Sequence, residues 1–418
     1  MKRKGLKIAL ASVAMLLLIT ILSIVIYWGV SGVTSFEEGI QKLSALILPK
    51  ENNVYRKKSY SVSDDKAVKK RSQVVARVGD NELTNGLLQI YYWMDIYEYL
   101  DDYGYYAVYY GLDYTQPLDE QTCQNTEGTW QHFFLEKAML NWHNYQALMK
   151  MAEAEGFRLD DDLQADLDGL RASLTDAVLD SDYPTIDAML EAEFGPGCTY
   201  EDYYKYINAY YRACAYLENQ IDQIEITDAM IQEYYNTHAD ELEKEGISKE
   251  SGDVKDVRHI LIAVQGGTEN EEGIMVYTEE EWENCRAQAE ALLEEWLAGD
   301  ATEASFTELA YQYSEDTGSN TDGGLYENLD ANSGFVQEFI DWYMDDDRQT
   351  GDYGLIRTEY GYHIMYFVGS EAKWLRHCRQ GVVSDLTSDI LKEARDQFPM
   401  EDVKYKKVAL GVVPLGQA

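Results

Sequence analysis

The sequence predicts an α+β protein: a mainly helical unit, a smaller mixed module inserted into it, and one membrane-spanning helix in front. An uninterrupted apolar run near the N-terminus predicts the span. Apolar and aromatic residues recurring three or four apart through the first half predict the helices. A later segment, where short strand-like runs alternate with capped helices, predicts the module. A chain of 418 residues that is 45% hydrophobic can bury at least two cores, because single domains usually hold roughly 100 to 200 residues.

Charge is unevenly placed. Residues 1–72 carry 13 Lys or Arg against 5 Asp or Glu, so the body from Gln73 holds a formal −48 although the whole chain is −40. Such a body repels phosphate backbones, which disfavours nucleic-acid partners and suits basic polypeptides. Cys123, Cys198, Cys214, Cys285 and Cys378 are odd in number, widely spaced and without a C-x-x-C pair. They read as buried thiols rather than a zinc site or a disulfide framework.

Residues 1–30 read as a basic flank (Lys2, Arg3, Lys4, Lys7) and an apolar anchor from Ile8 to Trp28, with Tyr27 and Trp28 at its far end. About 20 such residues cross a bilayer, and the basic flank stays in the cytoplasm, which places the body outside. A cleaved signal peptide shares the basic start but has a shorter apolar region and a small-residue cleavage site. Only Val30-Ser31-Gly32 resembles one here. Residues 31–72 lack periodicity and read as a polar spacer, so the first folded segment is expected to begin at Gln73.

Val74, Ala76 and Val78 alternate with polar neighbours ahead of Gly79-Asp80, as a short strand and turn do. Helical patterns follow near 84–100, 129–155, 160–181, 199–224 and 227–245, with Thr84, Thr199 and Thr227 as N-caps. Tyrosines crowd this region, among them Tyr103, Tyr105, Tyr106, Tyr109, Tyr110 and Tyr114, then Tyr203, Tyr204, Tyr206, Tyr210 and Tyr211. Their spacing fits interhelical packing and fits equally an amphipathic surface for unfolded segments.

Between Val254 and Gly369 the texture changes. Val257–Ala263 reads as a buried strand carrying His259, Thr278 and Glu281 as a capping box opening a helix to Ala298, Phe306–Tyr313 and Val336–Met344 as further helices, and Gly361–Val368 as a returning strand carrying His363. After it, Trp374, Cys378, Val382, Leu386 and Ile390 recur every four residues on one helical face, and Tyr405, Val408 and Leu410–Val413 look strand-like. Neither element can bury its apolar side alone. The expected domains are therefore 73–253 with 370–418 as one unit, the short strand at Val74 pairing with the tail, and 254–369 as an insertion.

Five segments in order, VRHILI (257–262), FTELAYQYSED (306–316), DGGL (322–325), GFVQEF (334–339) and YGYHIMYF (360–367), resemble the successive motifs of parvulin-type peptidyl-prolyl cis-trans isomerases. The flanking helical region resembles, more loosely, the chaperone domain of PrsA- and SurA-type extracytoplasmic foldases. The resemblance implies a parvulin-like α+β domain inserted in a SurA N-terminal-like chaperone domain. It implies His259 and His363 as paired imidazoles, Asp316 as their polar neighbour, Leu325, Phe335 and Phe339 as the wall of the proline pocket, and Tyr360 beside the second histidine. It further implies a foldase for unfolded or newly secreted polypeptides, on a cell membrane that the anchor suits to a Gram-positive surface, and leaves a homodimer open. Gly323-Gly324-Leu325 stands where many members have G-G-D-L-G, so this turn departs from the pattern.

Isomerisation breaks no bond, so it needs neither cofactor nor metal; the barrier of roughly 18–20 kcal/mol is the amide resonance itself. A dry pocket that favours the twisted amide suffices, each ~1.4 kcal/mol of selective stabilisation giving tenfold in rate. Two histidines without a third ligand at a recognisable spacing make a poor zinc site. Asp316–Glu327 fails as a calcium loop because Thr321 stands where Gly is required. No G-x-S-x-G supports a hydrolase. The rival expectation is a holdase that keeps the parvulin-like fold for binding alone. Glu269, Glu271 and Glu272 in the loop after the first strand disfavour phosphorylated substrates.

Overall fold

The computed structural model describes residues 57–103, 107–123, 128–270 and 273–413. The expected anchor, most of the spacer, Tyr105, Tyr106, Glu271 and Glu272 lie outside them. Among the described residues no helix is long and apolar enough to cross a membrane. The chain divides into two compact units, one running to Met230 and resuming at Gln380, the other Ile231–Arg379.

The first unit starts earlier than expected. Tyr60 is buried, its N–H donating to Gln131 Oε1 at 2.7 Å, and helix α1 (Asp64–Lys70) follows, with acids in its first turn and lysines in its last. The assigned spacer therefore ends before Tyr60; a single buried aromatic leaves no periodicity to read. Strands β1 (Val74–Val78) and β2 (Asn81–Thr84) form a hairpin. Helix α2 (Asn85–Tyr103) is buried on all sides from Asn85 to Ile96, as a helix inside a bundle must be. A two-residue pair, β3 (Thr122–Cys123) with β4 (Gly128–Thr129), precedes α3 (Trp130–Glu155).

Helix α3 is capped by the Thr129 side chain on the His132 N–H and stopped by Gly156 at φ 70°, a left-handed end that favours glycine. Asp160, Thr185 and Thr199 cap α4 (Asp161–Leu179), α5 (Ile186–Phe194) and α6 (Tyr200–Asp222) in the same way. The tyrosines of α6 settle as packing: Tyr203, Tyr206, Tyr210 and Tyr211 are buried in the unit's core, whereas Tyr109 is 73% exposed.

The second unit begins within α7 (Asp228–Thr237), which a break separates from α8 (Ala239–Lys244) inside the single helix expected over 227–245. Its centre is an antiparallel sheet in the order β8 (Leu325–Leu329), β5 (Asp253–Ala263), β10 (Gly361–Ala372), β9 (Tyr353–Arg357). A small hairpin, β6 (Thr268–Glu269) with β7 (Met275–Val276), leads to α9 (Glu279–Ala298), whose Thr278/Glu281 capping box is complete. Helices α9 and α10 (Glu303–Tyr313) cover one sheet face through Leu292, Trp296, Phe306 and Ala310 packed on Ile260 and Ile364. Helix α11 (Gln337–Tyr343) covers the other, where Phe339, Trp342 and Tyr343 pack on Val257, Met365 and Phe367.

Helix α12 (Lys373–Gln397) follows β10 directly, and only its first residues, through Arg379, belong to the sheet unit. Its later part buries Leu391 and Ala394 against Ala147, Leu148, Ala213 and Tyr216 of the helical unit. Strand β11 (Met400–Glu401) then pairs with β1, placing Val78 opposite Met400. The pairing expected of the run 405–413 differs: Tyr405–Lys407 is a 3-10 turn, and Leu410 makes an isolated parallel bridge to Ser61. Side chains replace a neighbouring strand there, since the Ala409 and Gly411 N–H groups donate to Asn85 Oδ1 and Gln89 Oε1 at 3.0 and 2.7 Å.

Candidate active site

The period of two along a strand decides which side chains meet. In β10, Ile364 and Tyr366 face α9 and α10, so His363 and Met365 face α11; in β5, Ile260 faces α9 and α10, so His259 faces α11. The antiparallel register sets Met365 opposite His259 and Leu261 opposite His363. The two histidines are thus diagonal neighbours on one face, within reach for aromatic side chains. Their rings stack at 5.1 Å and 19°, with Nδ1 to Nδ1 at 3.0 Å.

The contact extends into a chain. His259 Nε2 lies 2.8 Å from Asp316 Oδ2, and His363 Nε2 lies 2.8 Å from Thr358 Oγ1. Asp316 Oδ2 also accepts from the Ser319 hydroxyl at 2.6 Å and from the Tyr326 hydroxyl at 3.0 Å, while Oδ1 accepts from the Gly318 N–H at 3.2 Å. One assignment of protons satisfies every nitrogen. Thr358 donates to His363 Nε2, His363 Nδ1–H donates to His259 Nδ1, and His259 Nε2–H donates to the carboxylate.

The electrostatics agree with that assignment. The hydrogen bond from His259, reinforced by Ser319, holds the Asp316 carboxyl well below the usual carboxylate range despite partial burial. Burial, and then the neighbouring His259, push His363 down to about 3, so its ring is uncharged at neutral pH.

Apolar rings line the adjoining side. Phe335 stacks on Phe339 at 4.9 Å, Tyr326 meets Phe335 edge-on at 4.8 Å, and Phe339 stands perpendicular to His259 at 5.1 Å. Leu325 is elsewhere: it sits opposite Arg258, whereas Tyr326 sits opposite Val257, so Leu325 takes the α9/α10 face and Tyr326 the dyad face. Neighbouring positions of a strand face opposite sides, so the residue after Leu325 takes the place in the wall expected of it. Tyr360 is 57% exposed and reaches the chain only through its backbone N–H, which donates to Thr358 Oγ1 at 3.2 Å.

The short turn is held tightly. Gly323 and Gly324 have φ of 63° and 76°, and a Cβ on Gly324 would collide with the His259 carbonyl. The Arg258 guanidinium donates to the carbonyls of Asp322 and Gly323 at 2.9 and 3.0 Å and pairs with Glu303. Ser319, Tyr326 and Thr358 were not singled out by sequence reasoning. Only Tyr326 left a signal, the departure in the turn; a serine and a threonine in loops carry none. Among the described residues no group of three or more His, Cys, Asp or Glu could hold a metal ion.

Residues 241–369 match the family described as the PPIC-type PPIASE domain. The chain carries a parvulin-type peptidyl-prolyl cis-trans isomerase domain. No curated protein sequence matches the chain. Similar solved structures include PrsA from Bacillus subtilis, at 17% identity over 78% of this chain and 91% of that one with a TM-score of 0.30. A structure from the study of PEB4 and Cj1289, SurA-like chaperones of Campylobacter jejuni, matches at 18% identity over 78% and 94% with a TM-score of 0.20. PrsA from Bacillus anthracis matches at 15% identity over 62% and 96% with a TM-score of 0.19.

Proposed function

We propose that this isomerase is a membrane-anchored extracytoplasmic foldase, which binds unfolded or newly secreted polypeptides and turns their X-Pro bonds at the His259–His363 site. The observation that carries the reading is the juxtaposition of a fully partnered polar chain, Thr358–His363–His259–Asp316, with the apolar wall of Tyr326, Phe335 and Phe339. The rings take the proline and strip water from the planar amide, the more dipolar ground state. The ionised Asp316, beside the amide oxygen, disfavours the planar form, in which that oxygen is most negative. The histidines hold Asp316 in place, and burial keeps the His363 ring uncharged.

Anchoring rests on the apolar run Ile8–Trp28 behind its basic flank. Client binding is assigned to the helical unit, which runs to Met230 and resumes at Gln380; the acidity of the body suits basic chains. A holdase without catalysis is favoured by one observation, the register that puts Tyr326 rather than Leu325 in the wall. The full chain in detergent, added to an X-Pro tetrapeptide out of cis/trans equilibrium, is expected to speed relaxation; relaxation at the spontaneous rate would leave the holdase. Carbonate extraction and protease shaving of intact cells are expected to find an integral protein with its body outside, and a released protein beginning near Ser31 would refute the anchor.

A further inference from the structure

Away from the isomerase site, the helical unit holds a second buried polar cluster. Asp95 on α2 is 5% exposed, and its Oδ1 accepts from Asn141 Nδ2 at 2.7 Å. Lys137 on α3 pairs with Glu98 at 2.6 Å and reaches Asp95 Oδ1 only at 4.0 Å. Asp95 Oδ2 is buried with no hydrogen-bond partner among the described residues. Two carboxylates thus share one ammonium, and one carboxylate oxygen lacks a donor. A buried acceptor left in that state is costly.

The oxygen's neighbourhood describes what would relieve it. Asp95 and Glu98 line a small cavity together with Met94, Asn141 and three tyrosines, of which Tyr91 meets Tyr206 edge-on at 4.7 Å and lies tilted to Tyr145 at 5.8 Å. Its volume of about 20 Å³ admits a single water-sized group. Glu98, Asn141 and Tyr145 are only partly buried, which gives the cavity a mouth. Carboxylate oxygens around so small a space suit an ammonium head, whose charge meets the acids while its carbon stays at the mouth beside the rings. Calcium and magnesium want six or more oxygens, which two carboxylates and tyrosine rings do not supply.

We infer that this cavity is a binding site for a primary ammonium group, carried either by a free alkylamine or by a lysine side chain of a bound polypeptide. Burial, outweighing the nearby Lys137, pushes the Asp95 carboxyl well above the usual carboxylate range, and an ammonium seated beside it would restore the ionised form. The inference does not rest on the foldase reading, and the prolyl isomerase rate serves as its control.

Calorimetric titration of the full chain in detergent tests it, with methylammonium, tetramethylammonium and sodium at equal ionic strength. Saturable binding of methylammonium, at least about tenfold tighter than the other two, is expected from the volume and the ring lining. A pair of peptides alike except for lysine or norleucine separates the sources. Lysine-dependent binding assigns the site to side chains, and binding of methylammonium alone assigns it to free amines. Asp95→Asn, which keeps the side chain's shape, is expected to abolish binding while leaving the isomerase rate unchanged. Equal responses to all three cations, no saturation by any ligand, or undiminished binding by a folded Asp95→Asn chain would overturn the inference; the cation selectivity of the unaltered chain reports even if that variant fails to fold.

Discussion

In the sheet unit, Asp316 Oδ2 accepts from three side chains and every nitrogen of the two histidines has a partner; in the helical unit, Asp95 has a donor on one oxygen and, among the described residues, none on the other. Both clusters take acids out of water, yet they move them in opposite directions. Asp316, though partly buried, is held ionised by donors, whereas burial raises Asp95 to about 8. The contrast shows depth raising one acid and hydrogen-bond donors outweighing partial burial at the other. A satisfied network fixes a geometry, and an unsatisfied one leaves capacity for something else.

The sharpest way to break the comparison is to remove the one cation of the helical cluster. Lys137→Met leaves Glu98 and Asp95 facing each other without compensation and is expected to cost the helical unit about 3 kcal/mol, read from its urea midpoint. A cost within ~0.5 kcal/mol would mean that the two acids already share a proton.

Acid should weaken the sheet unit. His363 titrates near 3 when folded against 6.5 when free, so between those values the unfolded chain takes up the proton first. The contribution of His363 is full above about pH 6.5 and is lost as pH falls toward 3, on the order of 2 kcal/mol between pH 7 and 5. His377, lowered by burial and by Lys373, adds in the same direction. Urea midpoints at the two pH values, with His363→Gln as the control that shrinks the difference, check this.

The smallest change probes the residue exchange in the turn. Tyr326→Phe keeps the ring in the wall and removes one of three donors to Asp316 Oδ2, so a loss of a few-fold in isomerase rate is expected, equivalent to ~1 kcal/mol. Asp316 should then titrate at a higher pH, which carboxyl NMR would follow.

Much of this arrangement is legible in the sequence because it follows from periodicity and capping. The strand around His259, the returning strand at His363, the Thr278 capping box and the helical repeats near Thr84, Thr129 and Thr199 each write a local pattern, and each element forms. What escapes has no local signature. Tyr60 enters the core from an aperiodic segment, and Met400–Glu401, too short to show alternation, pairs with β1 where the more apolar 408–413 does not. Leu325 and Tyr326 differ from the expected placement by one position, and adjacent strand positions face opposite sides, a difference that a motif match passes over. Ser319 and Thr358 matter through tertiary contacts alone.

The central claim is that the Asp316–His259–His363 chain and its ring wall isomerise X-Pro bonds. Exchange NMR on an X-Pro peptide with catalytic amounts of the full chain measures this without a coupling enzyme. The intact chain is expected to broaden and exchange the cis and trans signals, and His259→Leu, which strips a partner from both Asp316 and His363, to lower the exchange rate by about 10- to 100-fold while the helical unit stays folded. Exchange by the intact chain no faster than the spontaneous tens to hundreds of seconds, or equal exchange by a folded His259→Leu chain, would contradict the account.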